Sequence, residues 1–400
     1  MKSNWPLVKL EKVAELTVGF VGTMAKHYTQ DGVTFLRSTN IEPFNIKFDD
    51  IKFISSEFNE KISKSQLRGG DVVIVRTGKP GACTVIPEIE GSWNCSDLVI
   101  VRPHQEKLDP LYLAAYINLA SGTINNQLVG AVQQHFNVAS AKKLEIPVPP
   151  IEVQRKISSL IGNLNAKISI NNKINDNLQH LLRMMFAEMF ISNAEEDWPV
   201  KKLGDFLSLE RGLSYKGKYL SENEGVPMLN LGNILPNSVF REEKLKFYTG
   251  EFKPRHVVLP GDIIVANTDL TQAREVLGSA IRVPNLGYST AICSHHISIV
   301  RNCKISNNFI LGLLNMPEYR SRVAGYATGT TVLALPNETI LNCEFRCPSD
   351  DAIQKYDDFA DPLYAMMENI RIENHKLVAL RDSLLPKLMS GEVDVYDIQI

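Results

Sequence analysis

Trp5-Pro-Leu-Val-Lys-Leu10 recurs as Trp198-Pro-Val-Lys-Lys-Leu203, an offset of 193 residues. A period near half the chain length governs how everything between is read. At the same offset Val33-Thr-Phe-Leu-Arg-Ser-Thr-Asn40-Ile41 lies over Val226-Pro-Met-Leu-Asn-Leu-Gly-Asn233-Ile234. Gly70-Asp71-Val-Val-Ile-Val75 matches Gly261-Asp262-Ile-Ile-Val265, and Gly81 to Pro87 matches Gly278 to Pro284. Cys95-Ser96 and Cys293-Ser294 each precede an apolar run ending in arginine, at Arg102 and Arg301. Asn175-x-x-Leu178-x-x-Leu181 matches Asn374-x-x-Leu377-x-x-Leu380. Ordered matches whose offset drifts only between about 191 and 199 indicate duplication of one unit.

Each unit has two parts. The first carries short β-branched runs, Asp71–Arg76 and Asp97–Arg102 in one copy, Asp262–Ala266 and His296–Arg301 in the other, punctuated by Gly and Pro. It is β-rich with some helix, predicted over Pro110–Asn118 and Phe309–Asn315. The second part follows Pro147, Pro149 and Pro150 in one copy and Pro348 in the other, and is helical. Ile157, Ile161, Leu164, Ile168, Asn171, Asn175, Leu178, Leu182, Met185 and Met189 keep alternating steps of four and three, the spacing of a coiled-coil seam. Tyr356, Ala360, Leu363, Met367, Ile370, Asn374, Leu377, Arg381, Leu384 and Leu388 repeat it, with Pro362 expected to break or restart the helix and Pro386 to kink or end it. Asparagine in a seam costs stability but penalises wrong registers, so Asn171, Asn175, Leu178, Ile370, Asn374 and Leu377 are read as the pairing segment.

These patterns predict an α+β fold with a pseudo-twofold internal repeat, in which two β-rich domains, 1–150 and 198–348, alternate with helical spacers, 151–197 and 349–400, that pair as an antiparallel coiled coil. About 35 to 40 helical residues at 1.5 Å each span roughly 50–60 Å, longer than a small domain needs for its own core. Two similar domains on such a strut suit a ligand with a long repeat, and B-DNA presents the same groove face again after about 34 Å.

The chain resembles the specificity subunits of type I restriction–modification systems. Pro149-Pro-Ile-Glu-Val-Gln154-Arg-Lys-Ile157 looks like that family's entry into its central helix, and Leu384-Leu-Pro-Lys-Leu388-Met-Ser-Gly391-Glu-Val393 like its C-terminal ending. The tandem Gly-Asp strands and the Asn-Ile turns at 40 and 233 also fit. The resemblance implies two target-recognition domains that read the halves of a split, asymmetric DNA target. It also implies paired helices carrying two modification (methyltransferase) subunits that bind S-adenosylmethionine, and motor-nuclease subunits, users of ATP and Mg, that join for cleavage. The second helix departs from the pattern, since Pro348-Ser-Asp-Asp-Ala-Ile-Gln354 lacks the Pro-Pro-x-Glu-x-Gln form.

Composition sets the outer bounds. Four hundred residues, 44% hydrophobic and 22% charged, supply two cores and exclude disorder and collagen-like structure. No apolar run reaches membrane-spanning length and Met1–Lys12 lacks a signal peptide's apolar block, so a cytoplasmic location is expected. The six cysteines form no CxxC pair and read as thiols. The net charge of −2 is unevenly spread: +1 over 1–150, −1 over 151–197, +4 over 198–348 and −6 over 349–400. A polyanion therefore suits the β-rich domains, and protein the last helix.

No phosphate loop or Gly-x-Gly-x-x-Gly is present. Asp109-Pro-Leu-Tyr112 and Asp361-Pro-Leu-Tyr364 lack the second proline of the adenine-methyltransferase motif and read as capped helix starts. Glu242-Glu-Lys244 has nuclease-like spacing but no upstream Pro-Asp, and His295-His296 reads as strand, without partners for a metal. No resident cofactor and no metal are expected in this chain. Base readout needs Arg or Lys toward guanine and Asn or Gln toward adenine, on loops near phosphate-binding cations. The first domain offers Arg37, Asn40, Arg76, Lys79, Gln133, Gln134 and His135; the second offers Asn230, Asn233, Asn267, Thr268, Gln272, Arg274 and Thr330. Asn40 and Asn233, shared by both halves, are equally well read as turn caps. Lys79, Gln133, His135, Gln272 and Arg274 differ between the halves and rank above them. A tandem protein-interaction scaffold remains the alternative; a free-standing methyltransferase or nuclease ranks last.

Overall fold

The computed structural model describes residues 5–48, 50–128, 136–236, 239–269, 274–329 and 332–398. The chain divides into two compact units, Met1–Ile170 with Glu373–Ile400, and Asn171–Ile372.

In the first unit a four-stranded antiparallel sheet runs in the order Cys83–Val85, Val72–Val75, Leu98–Pro103, Ala14–Val18. Val99 lies opposite Ile74 in one ladder and opposite Val18 in the other. Both faces are covered, so the central strands read as unbroken apolar runs rather than alternating ones. Val72, Ile74, Val99 and Val101 join a core with Tyr112, Leu113, Ile157 and Ile161. The intervening Val73, Val75, Leu98 and Ile100 join another with Leu36, Ile41 and Leu67. A five-stranded sheet supplies that second layer in the order Tyr28–Thr29, Lys52–Ile54, Val33–Leu36, Trp93–Cys95, Gln66–Leu67, with its one parallel pair between Phe35-Leu36 and Asn94-Cys95. Each buried aliphatic side chain contributes about 1.5–3 kcal/mol.

The second unit repeats this order strand for strand. Its four-stranded sheet runs Ser208–Arg211, Ile297–Arg301, Ile263–Ala266, Ala280–Arg282. Its five-stranded sheet runs Leu220–Ser221, Lys246–Tyr248, Val226–Leu229, Ala291–Cys293, Val257–Val258, again with one parallel pair, Met228-Leu229 with Ile292-Cys293. The recurring Trp-Pro segments lead into equivalent two-stranded pairs, Leu7–Lys9 with Glu145–Pro147 and Val200–Lys202 with Glu344–Arg346. Cross-links are repeated as well. Asn118 bonds both backbone groups of Cys83, and Asn315 both of Ala280. The Gly-Asp carboxylates pair with the strand-ending arginines, Asp71 with Arg102 at 3.3 Å and Asp262 with Arg301 at 2.8 Å. A Cβ on Gly212 would stand 2.3 Å from the Ser294 carbonyl oxygen, so only glycine lets that strand cross so closely.

Two helices are long, Ile151–Ala187 and Asp350–Ser390. Every predicted seam position on both is buried or half-buried, including Asn171, Asn175, Leu178, Ile370, Asn374 and Leu377. In the first unit the pairing is antiparallel: Lys167 meets Glu373 at 3.4 Å, Arg381 donates to Asn165 at 2.9 Å, and Ile157 and Ile161 share a core with Leu385 and Leu388. In the second unit Leu182, Phe186 and Phe190 pack with Ile353, Tyr356 and Ala360, with the Phe186 and Tyr356 rings 5.4 Å apart.

Three expectations need correction. The helical segments are not separate spacers at 151–197 and 349–400, because their apolar seams complete the core of each β-rich domain and so fall within both units. The last helix runs unbroken through Pro362, whose ring lies on an exposed flank while Tyr356, Ala360 and Leu363 hold the turns on either side by packing. Asp361 therefore caps no helix; its carboxylate accepts from Asn308 Nδ2 at 2.8 Å, whereas Asp109 does cap, accepting from the Leu111 and Tyr112 amides.

Candidate nucleic-acid interface

Each unit carries a loop leaving the first, in chain order, of its sheet's two central strands, and the structure gives both loops the same stem. In the first unit, Arg76–Ala82 links Val72–Val75 to Cys83–Val85, and Phe136 donates its amide to the Arg76 carbonyl at 3.2 Å. In the second, Asn267–Ser279 links Ile263–Ala266 to Ala280–Arg282, and Leu335 donates to the Asn267 carbonyl at 2.8 Å. Thr268-Asp269 pairs there with Leu333-Ala334, next to a hairpin closed by reciprocal Thr328 and Ala334 bonds. Gly329 makes that hairpin possible, with φ +112° and no room for a Cβ beside the Val332 carbonyl. Two segments far apart in sequence thus meet at one loop base in each unit. They include the nominated Arg76 in the first unit and Asn267 and Thr268 in the second.

The side chains at these bases are tied to the start of the neighbouring strand. Thr77 Oγ1 donates to Asp97 Oδ2, and Arg76 Nη1 lies 3.6 Å from Asp97 Oδ1. At the corresponding place Thr268 Oγ1 lies 2.9 Å from His296 Nδ1. His296 lies against His295 with ring centroids 3.9 Å apart and the rings tilted by 38°. Burial lowers the pKa of both imidazoles, with neighbouring positive charge on Arg211 adding to the effect, so each is held neutral more firmly than a free histidine.

The nominated residues separate clearly. Lys79 is exposed on its loop, and Arg274 is exposed with its Nη1 donating to the Ala324 carbonyl at 2.8 Å. Arg76 is partly exposed beside Asp97. Arg37 pairs with Asp50 at 2.9 Å. Asn40, Asn233, Asn267 and Thr268 are buried, which corrects their nomination as base readers. Asn40 accepts from the Arg37 amide and donates to the Lys47 carbonyl; Asn233 accepts from the Asn230 amide and donates to the Arg241 carbonyl. Asn230 is consumed in the same turn, bonding the Gly232 amide and the Lys244 carbonyl. Asn267 donates to Ser298 Oγ at 2.9 Å. Buried amides spend their hydrogen bonds internally because leaving them unmade costs about 1–3 kcal/mol each. Gln133, Gln134, His135, Gln272 and Thr330 lie outside the described residues.

Residues 2–180 match the family described as the type I restriction modification DNA specificity domain. The chain is 22% identical to the type I restriction enzyme MjaVIII specificity subunit of Methanocaldococcus jannaschii, over 100% of this chain and 91% of that one. It is also 22% identical to the type I restriction enzyme HindI specificity subunit of Haemophilus influenzae, covering 83% and 88%. The chain is thus similar to type I restriction–modification specificity subunits, over the whole of its length in the MjaVIII case. A solved S subunit from M. genitalium shares the fold with a TM-score of 0.52 at 14% identity, covering 97% of this chain and 96% of that one.

One feature of the second unit escaped the sequence reading. An open cleft of about 560 Å³ is lined by Arg211, Arg255, His256 and His295, with Ser214 and Asn337. Arg211 and Arg255 are both exposed. The cations come from separate strands and turns, so no local run announces them. Among the described residues no group of three or more His, Cys, Asp or Glu could hold a metal, and no helix is long and apolar enough to cross a membrane. Glu242 of the nuclease-like triplet pairs with Arg371 at 3.0 Å. All six cysteines are free thiols, and burial raises the pKa of each.

Proposed function

We propose that each unit reads one half of a bipartite, asymmetric duplex DNA target, through the loop that leaves its central strands. The observation carrying this reading is that the two units repeat the same sheet orders and loop bases while presenting different side chains, Arg76 and Lys79 in one and Arg274 in the other. Equal scaffolds with unequal loops suit two half-sites of unequal sequence. The chain supplies recognition, and the chemistry belongs to its partners. Modification subunits would bring S-adenosylmethionine, and motor-nuclease subunits ATP and Mg. Docking of modification subunits on the helices is supported by apolar side chains exposed there, Ile170 and Leu380 in the first unit and Leu181, Met184 and Met366 in the second. The helices would set the separation of the half-sites, and the cytoplasm, where the DNA is, would be the site of action. Methylation mapping after coexpression with a modification subunit tests the reading. A motif of two specified blocks around an unspecified spacer is the expected result; a single contiguous block refutes it.

A further inference from the structure

Thr77 and Thr268 are separated by 191 residues, the same offset as Asp71 and Asp262, and each is the second residue of its loop. Asp97 and His296 both stand immediately before the strand that pairs with the loop-bearing strand, following Cys95-Ser96 and Cys293-Ser294-His295. The two hydrogen bonds, between Thr77 and Asp97 and between Thr268 and His296, are therefore one interaction built twice with different partners. Sequence comparison hides this, because an aspartate and a histidine do not align and the second unit carries one more residue there.

We infer that Asp97 and His296 are positioning residues, equivalent latches that hold the bases of the two reading loops through the hydroxyls of Thr77 and Thr268 and so set how sharply each half-site is discriminated. The half-site part of this inference rests on the reading of the chain as a DNA-recognition subunit; the latch itself does not. In the first unit the latch gathers two loop residues at once, since the Asp97 carboxylate also faces the Arg76 guanidinium. In the second the place of Arg76 is taken by Asn267, which turns inward to Ser298 and donates its amide to the His296 carbonyl at 3.0 Å. The imidazole there is backed by His295, and burial with the positive charge of Arg211 nearby favours a neutral ring. Each loop has backbone bonds that report its closure: Gly81 to Val75 and Ala82 to Lys79 in the first, Gly278 to Ala266 and Ser279 to Val276 in the second.

Amide hydrogen exchange on the full chain tests the latch without DNA. His296→Leu should speed exchange at Gly278 and Ser279 by about fivefold, the worth of one hydrogen bond, and leave Gly81 and Ala82 unchanged. Asp97→Leu should do the reverse. His296→Asp, which installs the first unit's acceptor, should restore protection, a recovery that loss of packing alone does not give. Thr268→Val removes only the hydroxyl and reports the same loosening if His296→Leu fails to fold. Loosening of both loops by either substitution, no loosening in the loop addressed, or His296→Asp as loose as His296→Leu would each overturn the inference. The second arm uses a duplex selected by the full chain from a randomised library, then altered in one half at a time. His296→Leu should cut discrimination about fivefold at one half-site and leave the other intact. Equal loss at both halves contradicts a half-specific role. If exchange follows the expected pattern while the unsubstituted chain selects no bipartite duplex, the latch stands and the DNA reading falls.

Discussion

The two units join their domains to the long helices at equivalent places with exchanged chemistry. In the first, the carboxylate of Asp109 caps the domain helix Pro110–Leu128 and accepts a hydrogen bond from Ser158 on the central helix. In the second, the hydroxyl of Ser306 caps Asn307–Leu314 and donates to the carboxylate of Asp357 on the last helix, 2.5 Å away. Acid and alcohol have traded sides, and the bond survives. Gln154 is fully buried and binds the Asp109 amide and the Lys107 and Pro149 carbonyls, whereas the corresponding residue of the second unit is Ile353, packed into a core of aromatic rings. That is why the second helix lacks the Pro-Pro-x-Glu-x-Gln entry without losing its seat. What duplication preserved is the position of the contact rather than the residues that make it.

Breaking this comparison should hurt most where the substitutes are aromatic. Phe186 is fully buried against Phe190, Phe309 and Tyr356, so Phe186→Ala should cost about 3–5 kcal/mol of the second unit's stability in urea unfolding, leaving the first unit's transition in place. A smaller loss, about 2–3 kcal/mol, is expected for Gln154→Leu in the first unit, where three backbone groups lose their partner. Ile353→Gln should cost about as much in the second, where a core amide finds no such partners. The loops sharpen the comparison further. Arg76→Ala and Arg274→Ala should each weaken binding of the selected duplex by about tenfold in a titration at fixed salt, without unfolding the chain.

The smallest effect is a difference in sign. Burial raises the pKa of Asp71 in the first unit, so its folded form holds a proton longer than the unfolded chain does. That contribution to stability is present at low pH and is lost as pH rises from the ordinary carboxylate range through the raised value. Burial lowers the pKa of His295 and His296 in the second unit, so the unfolded chain takes up protons that the folded unit refuses. Their contribution is lost as pH falls from the ordinary imidazole range, near 6.5, through the lowered values. Residue-resolved exchange between pH 7 and pH 5.5 should show the second unit weakening on acidification; parallel weakening of both units would contradict the assignment.

Much of the architecture was legible. The Gly-Asp strands, the Trp-Pro recurrence and the four-three seams come from backbone and core constraints that leave a periodic trace. Residues whose role depends on distant partners leave none. Asn40, Asn233 and Asn267 have the amides that base reading wants, yet their side-chain donors are taken by turns and strands only the fold brings near. Pro362 reads locally as a breaker, and long-range packing of Tyr356 and Ala360 overrides it. Asp97 and His296 became visible as counterparts only when both threonine hydroxyls were seen to reach them.

Footprinting of the full-length chain on its selected duplex, with a four-residue insertion near Asn171 as the partner experiment, tests the central claim most directly. Two separate protected blocks are expected, with their separation altered by the insertion and the base sequence of each block kept. One continuous footprint, or blocks whose bases change while their spacing does not, would contradict it.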